Sequence, residues 1–227
     1  DEYSACAVVI ATGSRYRRLG APGESSYIGA GVHFCATCDG PFYKGKHVAV
    51  IGGGNSAAEE SLLLTKFADR VTVLVRGDAF KASKVIQEKV LNDSAIEVRF
   101  NTAVTEFLGA NAKLNALRTH NNRTGQDETL SVDGAFVFIG LDPNTAFLRN
   151  SGVRLNAWGF VVTGHDLIHD QPRLEHFAQR EPAALETSIP GIFAAGDVRQ
   201  GSTKQVASAA GEGAAVALLV REYLKTV

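Results

Sequence analysis

The chain has 227 residues, 45% of them apolar and 21% charged, with a formal net charge of −1. That length holds one large domain or two modest ones with real cores. Its scattered Lys and Arg argue against nucleic acid or an anionic membrane as main partner. Three cysteines are too few for a secreted disulfide framework. They fit a reducing, cytoplasmic compartment and a bridge that is catalytic rather than structural. No signal peptide or membrane span is visible, and Gln205 to Val220, which carries Glu212, reads as a buried packing helix. With no Met and an opening of Asp1-Glu2-Tyr3 that runs straight into a strand, the sequence leads us to expect an upstream segment.

In chain order, Cys6 to Ala11 is a short apolar run that reads as a buried strand ending at Thr12-Gly13, with Cys6 as a small core residue. Arg15 to Gly31 is a Gly, Pro and Ser-rich crossover with a turn at Pro22-Gly23. His47 to Ile51 is a second buried strand, followed by Gly52-Gly53-Gly54 and a helix from Asn55 to Phe67. Val71 to Val75 is the next strand, which completes a βαβ unit of nucleotide-binding length. A helix over Ala82 to Leu91 and a strand over Ile96 to Phe100 follow. Two or three antiparallel strands lie between Ala103 and Val132, with turn chemistry at Asn121 to Gly125. Ala135 to Gly140 is another buried strand, and Leu141 to Asn144 a linker. Beyond it come a strand pair around Trp158 to Val162, an irregular polar stretch from Thr163 to Ser188, a strand over Gly191 to Asp197 and the last helix.

Gly52-x-Gly54-x-x-Ala57 fits the dinucleotide fingerprint. The first Gly permits the tight turn, the second lets a pyrophosphate approach the backbone, and the third small residue lets helix and strand pack. The helix from Asn55 turns free N–H groups and its positive end toward the phosphates. At the end of the next strand an NAD site places Asp or Glu. Here Arg76 stands there, with Lys81 and Lys84 nearby, which favours a 2′-phosphate and hence NADPH; the alternative is a solvated cationic face.

Cys35-Ala36-Thr37-Cys38 is followed at once by Asp39. Two thiols at this spacing store and release two electrons, and Asp39 is placed to move a proton to or from a leaving thiolate. The spacing predicts an exposed first thiol and a deeper second one. Zinc needs two further ligands and an inert bridge is the other alternative. His165 and His169, with Asp166, Asp170 and His176 nearby, form an i, i+4 pair that binds metal if helical; a polar surface segment is the plainer reading, and no metal is assigned.

Ala11-Thr12-Gly13, Cys35 to Gly40, Gly52 to Glu60, Pro190 to Asp197 and Lys204-Gln205-Val206, in this order and spacing, resemble low-molecular-weight thioredoxin reductase. The resemblance implies an α/β homodimeric flavoprotein. A Rossmann-like three-layer ββα NADPH-binding domain (19–141) carrying the CxxC is inserted in a partial FAD-binding domain of the same type (1–18 and 142–227). It implies that Cys38 faces the flavin, Cys35 attacks the disulfide of thioredoxin or a similar small protein, and Asp39 donates the proton. Gly52, Gly53, Gly54, Asn55, Ser56, Ala57, Glu60, Arg76 and Lys81 would serve NADPH. Thr12, Gly13, Ile139, Gly140, Gly196, Asp197, Lys204, Gln205 and Val206 would complete the cofactor sites, chiefly that of FAD. Three departures stand out. The family's N-terminal FAD-binding βαβ unit with its own glycine fingerprint is missing. Val75, Gly77 and Lys81 replace a His and two Arg of the family's NADPH motif. Thr163 to Ser188 is longer than the usual connection. The rival readings are a flavin disulfide reductase with another donor or partner, and a nucleotide-binding module without turnover.

Overall fold

The computed structural model describes residues 2–169 and 174–227, without the side chain of His169. The chain opens on β1 (Val8–Ile10) and β2 (Ser14–Tyr16). It then forms β3 (Val32–His33), α1 (Ala36–Asp39), β4 (His47–Ile51), α2 (Asn55–Leu64), β5 (Arg70–Leu74), α3 (Lys84–Asn92) and β6 (Ile96–Arg99). Next come β7 (Thr102–Ala110), β8 (Lys113–Asn121), β9 (Asp127–Ser131) and β10 (Gly134–Val137). The chain ends with β11 (Leu141–Pro143), α4 (Asp166–His169), β12 (Ile192–Ala194) and α5 (Val206–Tyr223). It divides into two units, one formed by residues 16–140 and the other by residues up to 15 and from 141 onward.

The inserted unit is built on a five-stranded parallel sheet in the order β3-β10-β4-β5-β6. Its central strands β10, β4 and β5 are buried on both faces, as a sheet covered on both sides requires. Period two then sorts the residues. Val48, Val50, Val71, Val73 and Phe136 meet Ala57, Ala58 and Leu64 of α2 and Val90 of α3. Ala49, Ile51, Leu74, Ala135 and Val137 face the opposite way, onto Val104, Phe107, Leu114, Leu117 and Leu130 of the antiparallel sheet β7-β8-β9. Each fully buried Val or Leu contributes about 1.5–3 kcal/mol, so the two faces together hold the three layers. Asn111 and Ala112, at φ 53° and 58°, join β7 to β8 as a two-residue turn of the primed type that matches strand twist.

The outer unit departs from the sequence reading in four places. Cys6 is exposed, because it lies in a bend before β1 rather than inside the strand. Within β1 only Ile10 is buried, since among the described residues β1 pairs with β12 alone, in parallel. The terminal helix is not a buried packing helix. In α5 only Val216 is buried, and it packs with Leu219, Val220 and Tyr223 against Leu185, Phe193 and Ala195, so one stripe serves the core. Around Trp158 no strand pair forms beyond an isolated Leu155–Val161 bridge. Asn156 Oδ1 accepts the N–H groups of Trp158 and Phe160 and closes a tight turn there instead.

Among the described residues, the stretch from Thr163 to Ser188 forms only short helical turns and mixes surface with core, with Glu175, His176 and Ala178 to Glu181 exposed. Leu167, Phe177 and Leu185 are buried in it, as are Glu186, Thr187 and Ser188. Glu186 accepts two guanidinium hydrogen bonds from Arg180, at 2.8 and 2.7 Å, and the Ala183 N–H at 2.9 Å. Ser188 Oγ accepts the Arg154 N–H and donates to the Gly152 carbonyl. Glu186 and Ser188 persist inside because each is bonded in this way. Of the histidine pair noted in the sequence, His165 is exposed, while the side chain of His169 and Asp170 lie outside the described residues. His176 Nε2 lies 2.6 Å from the Ser188 carbonyl oxygen. Among the described residues no group of three or more His, Cys, Asp or Glu is gathered as a metal site.

Candidate active site

In the inserted unit β4 ends at Ile51 and the chain turns at Gly52, with φ +149°. A Cβ on Gly52 would stand 2.3 Å from the Phe138 carbonyl oxygen and 2.9 Å from the Ala57 Cβ, so only glycine lets the strand turn this close to the neighbouring β10 and to α2. A Cβ on Gly53 would meet Val75 Cγ1 at 2.8 Å, which places Val75 in the floor of the loop. Around Gly54, by contrast, nothing lies within 4 Å. That open face precedes the first N–H groups of α2, which have no partner within the helix. The cradle fits a pyrophosphate.

The loop after β5 is tied to this cradle. The Lys81 N–H donates to the Gly53 carbonyl at 2.7 Å, and the Ser83 N–H donates to Asn55 Oδ1 at 2.8 Å. Arg76 and Lys81 are exposed, and Asn122 Nδ2 holds the Arg76 carbonyl at 3.0 Å. Ser56 is exposed at the start of α2 and Ala57 is fully buried beneath it. Ile139 and Gly140 follow β10, next to the carboxyl end of β4, and the Gly140 carbonyl accepts the Arg17 N–H.

Cys35 and Cys38 are joined as a disulfide, with Cα atoms 5.3 Å apart. Cys35 caps α1, and its Sγ accepts the Cys38 N–H at 3.1 Å. Cys38 is exposed and Cys35 half-buried, which reverses the depth expected from the spacing. The cause is that Cys35 closes the buried strand segment after β3, whereas Cys38 comes one turn later on the outer side of α1. Ala36 is fully buried and packs in one core cluster with Ala57, Ala58 and Leu64 of α2. Burial raises the Glu60 pKa above its ordinary value, against the lowering effect of the Ala36 backbone N–H, and Glu60 Oε2 is buried with no partner. Ala36 thus seats α1 on α2, while Glu60 keeps one acceptor unused.

Asp39 ends α1 and turns its carboxylate to His33 Nδ1, 3.4 Å away. His33 Nε2 lies 2.6 Å from the Tyr43 hydroxyl. Neither His33 nor Tyr43 was singled out from sequence; both look like core residues until the fold brings them to Asp39.

In the outer unit the parallel strands β1 and β12 end side by side. Thr12-Gly13 and Gly196-Asp197 follow these two ends, where open α/β sheets bind ligands. Thr12 and Asn144 exchange two hydrogen bonds of 2.8 Å, and the Gly13 carbonyl accepts the Asn144 N–H. Asp197 Oδ1 is buried and lacks a partner, an acceptor suited to a cofactor hydroxyl. Lys204 is turned inward: its ammonium bonds the Asp197 and Arg199 carbonyls and sits over the Phe160 ring. Gln205 caps α5 and Val206, its first residue, is exposed.

Glu212 of α5 accepts the Gly196 N–H and two bonds from Arg199. Those Arg199 bonds hold its carboxyl below the ordinary 4.5, against burial. A carboxylate depressed in the folded state stabilises above its unfolded value and loses that contribution as pH falls through the folded one. Stability should therefore drop as the pH is lowered below about 4.5. Glu212→Gln should flatten this acid limb in urea titrations across that range; an unchanged limb would remove Glu212 as its source.

A model of the pyridine nucleotide-disulphide oxidoreductase family matches residues 1–213. The chain belongs to that family. It is 39% identical over 225 residues, 99% of its length, to the thioredoxin reductase of Treponema pallidum, and 35% identical over 224 residues, again 99%, to that of Bacillus subtilis. It spans 66% and 65% of those relatives, about two thirds of their length. The crystal structure of thioredoxin reductase from Streptococcus pyogenes superposes with a TM-score of 0.83 at 35% identity, covering 97% of this chain and 66% of that one. The Giardia duodenalis thioredoxin reductase gives 0.84 at 34% identity, covering 96% and 66%. For this family member the Rossmann-like α/β fold is shown by these matches and carries the Cys35–Cys38 disulfide, and flavin and pyridine nucleotide are the family's cofactors. Among the described residues no helix is long and apolar enough to cross a membrane.

Proposed function

We propose that the chain is the dithiol-bearing NADPH unit, with part of the FAD unit, of a thioredoxin reductase-like flavoenzyme that works as a cytoplasmic homodimer. The reading is carried by one observation: the helix that bears the Cys35–Cys38 disulfide is seated through the buried Ala36 against the helix that follows the glycine-rich loop. When bound, NADPH and FAD supply the hydride and the two-electron relay that open this disulfide.

Gly54 and the first N–H groups of α2 receive the pyrophosphate, Glu60 further along the same helix keeps an acceptor for the cofactor, and Arg76 with Lys81 receives the 2′-phosphate. Thr12, Gly13, Gly196 and Asp197 hold FAD in the outer unit. In the reduced pair, the Cys38 N–H that reaches Cys35 Sγ stabilises a Cys35 thiolate. That thiolate attacks one sulfur of the partner disulfide, and the other partner sulfur leaves and takes a proton. Asp39 accepts the proton of Cys38, whose thiolate attacks Cys35 Sγ. The second partner sulfur then leaves and is protonated, and the Cys35–Cys38 bond is restored. The pair gives up two electrons and two protons, and the partner gains both.

A second reading, a related reductase with another electron donor, draws on Val75 and Gly77, since Val75 is spent on the loop floor and Gly77 carries no charge. Stopped-flow reduction of the flavin-loaded protein decides between them. NADPH should outpace NADH, and Arg76→Ala should raise the KM for NADPH about tenfold while changing that for NADH less than about twofold. Equal rates with both nucleotides would remove the 2′-phosphate assignment. A protein that acquires no flavin spectrum with added FAD would instead be a nucleotide-binding module.

A further inference from the structure

We propose that His33 is a positioning residue that holds Asp39 against the thiol pair through Nδ1, while Tyr43 fixes its tautomer through Nε2. The inference rests on the reading above that Asp39 serves these thiols. Three elements converge on it. His33 ends β3, in register with Phe136 of β10, whose ring centroid is 5.2 Å from the imidazole. Asp39 ends α1, with its carboxylate 3.4 Å from Nδ1. Tyr43 comes from the turn after α1, with its hydroxyl 2.6 Å from Nε2 and its ring edge-on to both the imidazole and Phe136. Tyr43 in turn is seated by Gly134, where a Cβ would strike the ring at 2.3 Å.

The protonation states follow from the surroundings. Burial lowers the His33 pKa more than Asp39 raises it, which keeps the imidazole neutral near pH 7. Burial, with Asp39 and Asp133, pushes the Tyr43 hydroxyl up to about 12, so it remains a donor. A neutral imidazole has one N–H and one lone pair. The phenol has a proton to give, so Nε2 accepts it and the N–H falls on Nδ1, toward the carboxylate. Tyr43 O–H then donates to His33 Nε2, and the His33 Nδ1–H faces the Asp39 carboxylate. It constrains an otherwise partly exposed carboxylate, whose side chain is 31% accessible, in one orientation next to Cys38.

The test is the pH dependence of alkylation. The chain, in a Cys6→Ser background because Cys6 is free and exposed, is reduced with dithiothreitol and treated with iodoacetamide between about pH 5 and pH 10. Asp39→Asn should move the midpoint about one pH unit lower, since a carboxylate beside a thiol disfavours the thiolate. His33→Gln presents its amide at the Nε2 position and leaves nothing at Nδ1; it should move the midpoint the same way by about half a unit or more. His33→Asn presents its amide at Nδ1 and should restore the parent curve. Tyr43→Phe keeps the packed ring, deletes only the hydroxyl, and should shift the curve in the direction of His33→Gln.

If Asp39→Asn shifts the curve and His33→Gln and Tyr43→Phe do not, the positioning role is overturned while the role of Asp39 stands. If His33→Gln and His33→Asn shift it equally, packing rather than the Nδ1 contact is responsible, and the proposal also falls. If Asp39→Asn leaves the curve in place, the role of Asp39 fails and takes this inference with it.

Discussion

Cys38→Ser should reduce turnover of oxidised thioredoxin by the flavin-loaded protein to background, and should leave a covalent complex behind. The geometry separates the two thiols. Cys35 keeps its stabilising contact in this variant, because the donor at 3.1 Å is the backbone N–H of position 38 and not its side chain. A Cys35 thiolate can therefore still attack the partner disulfide. What is lost is the second sulfur that resolves the mixed disulfide, so the partner stays attached. Non-reducing gels should show a 1:1 adduct that dithiothreitol dissolves, and Cys35→Ser should give neither turnover nor a comparable adduct. Exposure cuts the other way, since Cys38 is the more accessible of the pair. An adduct formed faster through Cys38 in Cys35→Ser would exchange the two roles. Turnover retained by Cys38→Ser would refute the dithiol mechanism altogether.

The parts of the molecule that were legible in sequence are those governed by local rules. The βαβ unit from His47 to Leu74 announces itself because a strand buried on both faces is a continuous apolar run, and because the turn after it tolerates only glycine at position 52. Tertiary context decided the rest. Cys6 looks like core because a short apolar run cannot say where its strand begins, and β1 begins two residues later. The depth of the two cysteines depends on which side of α1 faces the sheet. Glu186 and Ser188 look like surface residues, but Arg180, Arg154 and Gly152 satisfy them inside. The His33–Asp39–Tyr43 contacts are the sharpest case. All three residues lie within eleven positions of one another, yet only the path of β3, α1 and the turn after it points their side chains together.

Gly52→Ala and Gly54→Val should fail in different ways, and the difference tests whether the loop is a cradle or only a turn. At Gly52 a methyl group would need to occupy space 2.3 Å from a backbone oxygen at a φ of +149°. Neither the carbonyl of Phe138 nor the fully buried Ala57 can yield without moving β10 or α2. The cost should be about 2–4 kcal/mol of stability, seen as a lower urea midpoint before any nucleotide is added. At Gly54 the backbone is extended and the side chain would enter open space. Gly54→Val should therefore fold with nearly the parent midpoint. Its side chain would fill the place where the pyrophosphate approaches the N–H groups of α2, so NADPH affinity should fall about tenfold or more, a loss of about 1.4 kcal/mol at least. Titration calorimetry reads the affinity, and urea melts read the stability. A Gly54→Val protein that is folded and binds NADPH as tightly as the parent would show that the glycine-rich loop serves packing alone, and the hydride source for Cys35–Cys38 would have to be sought elsewhere.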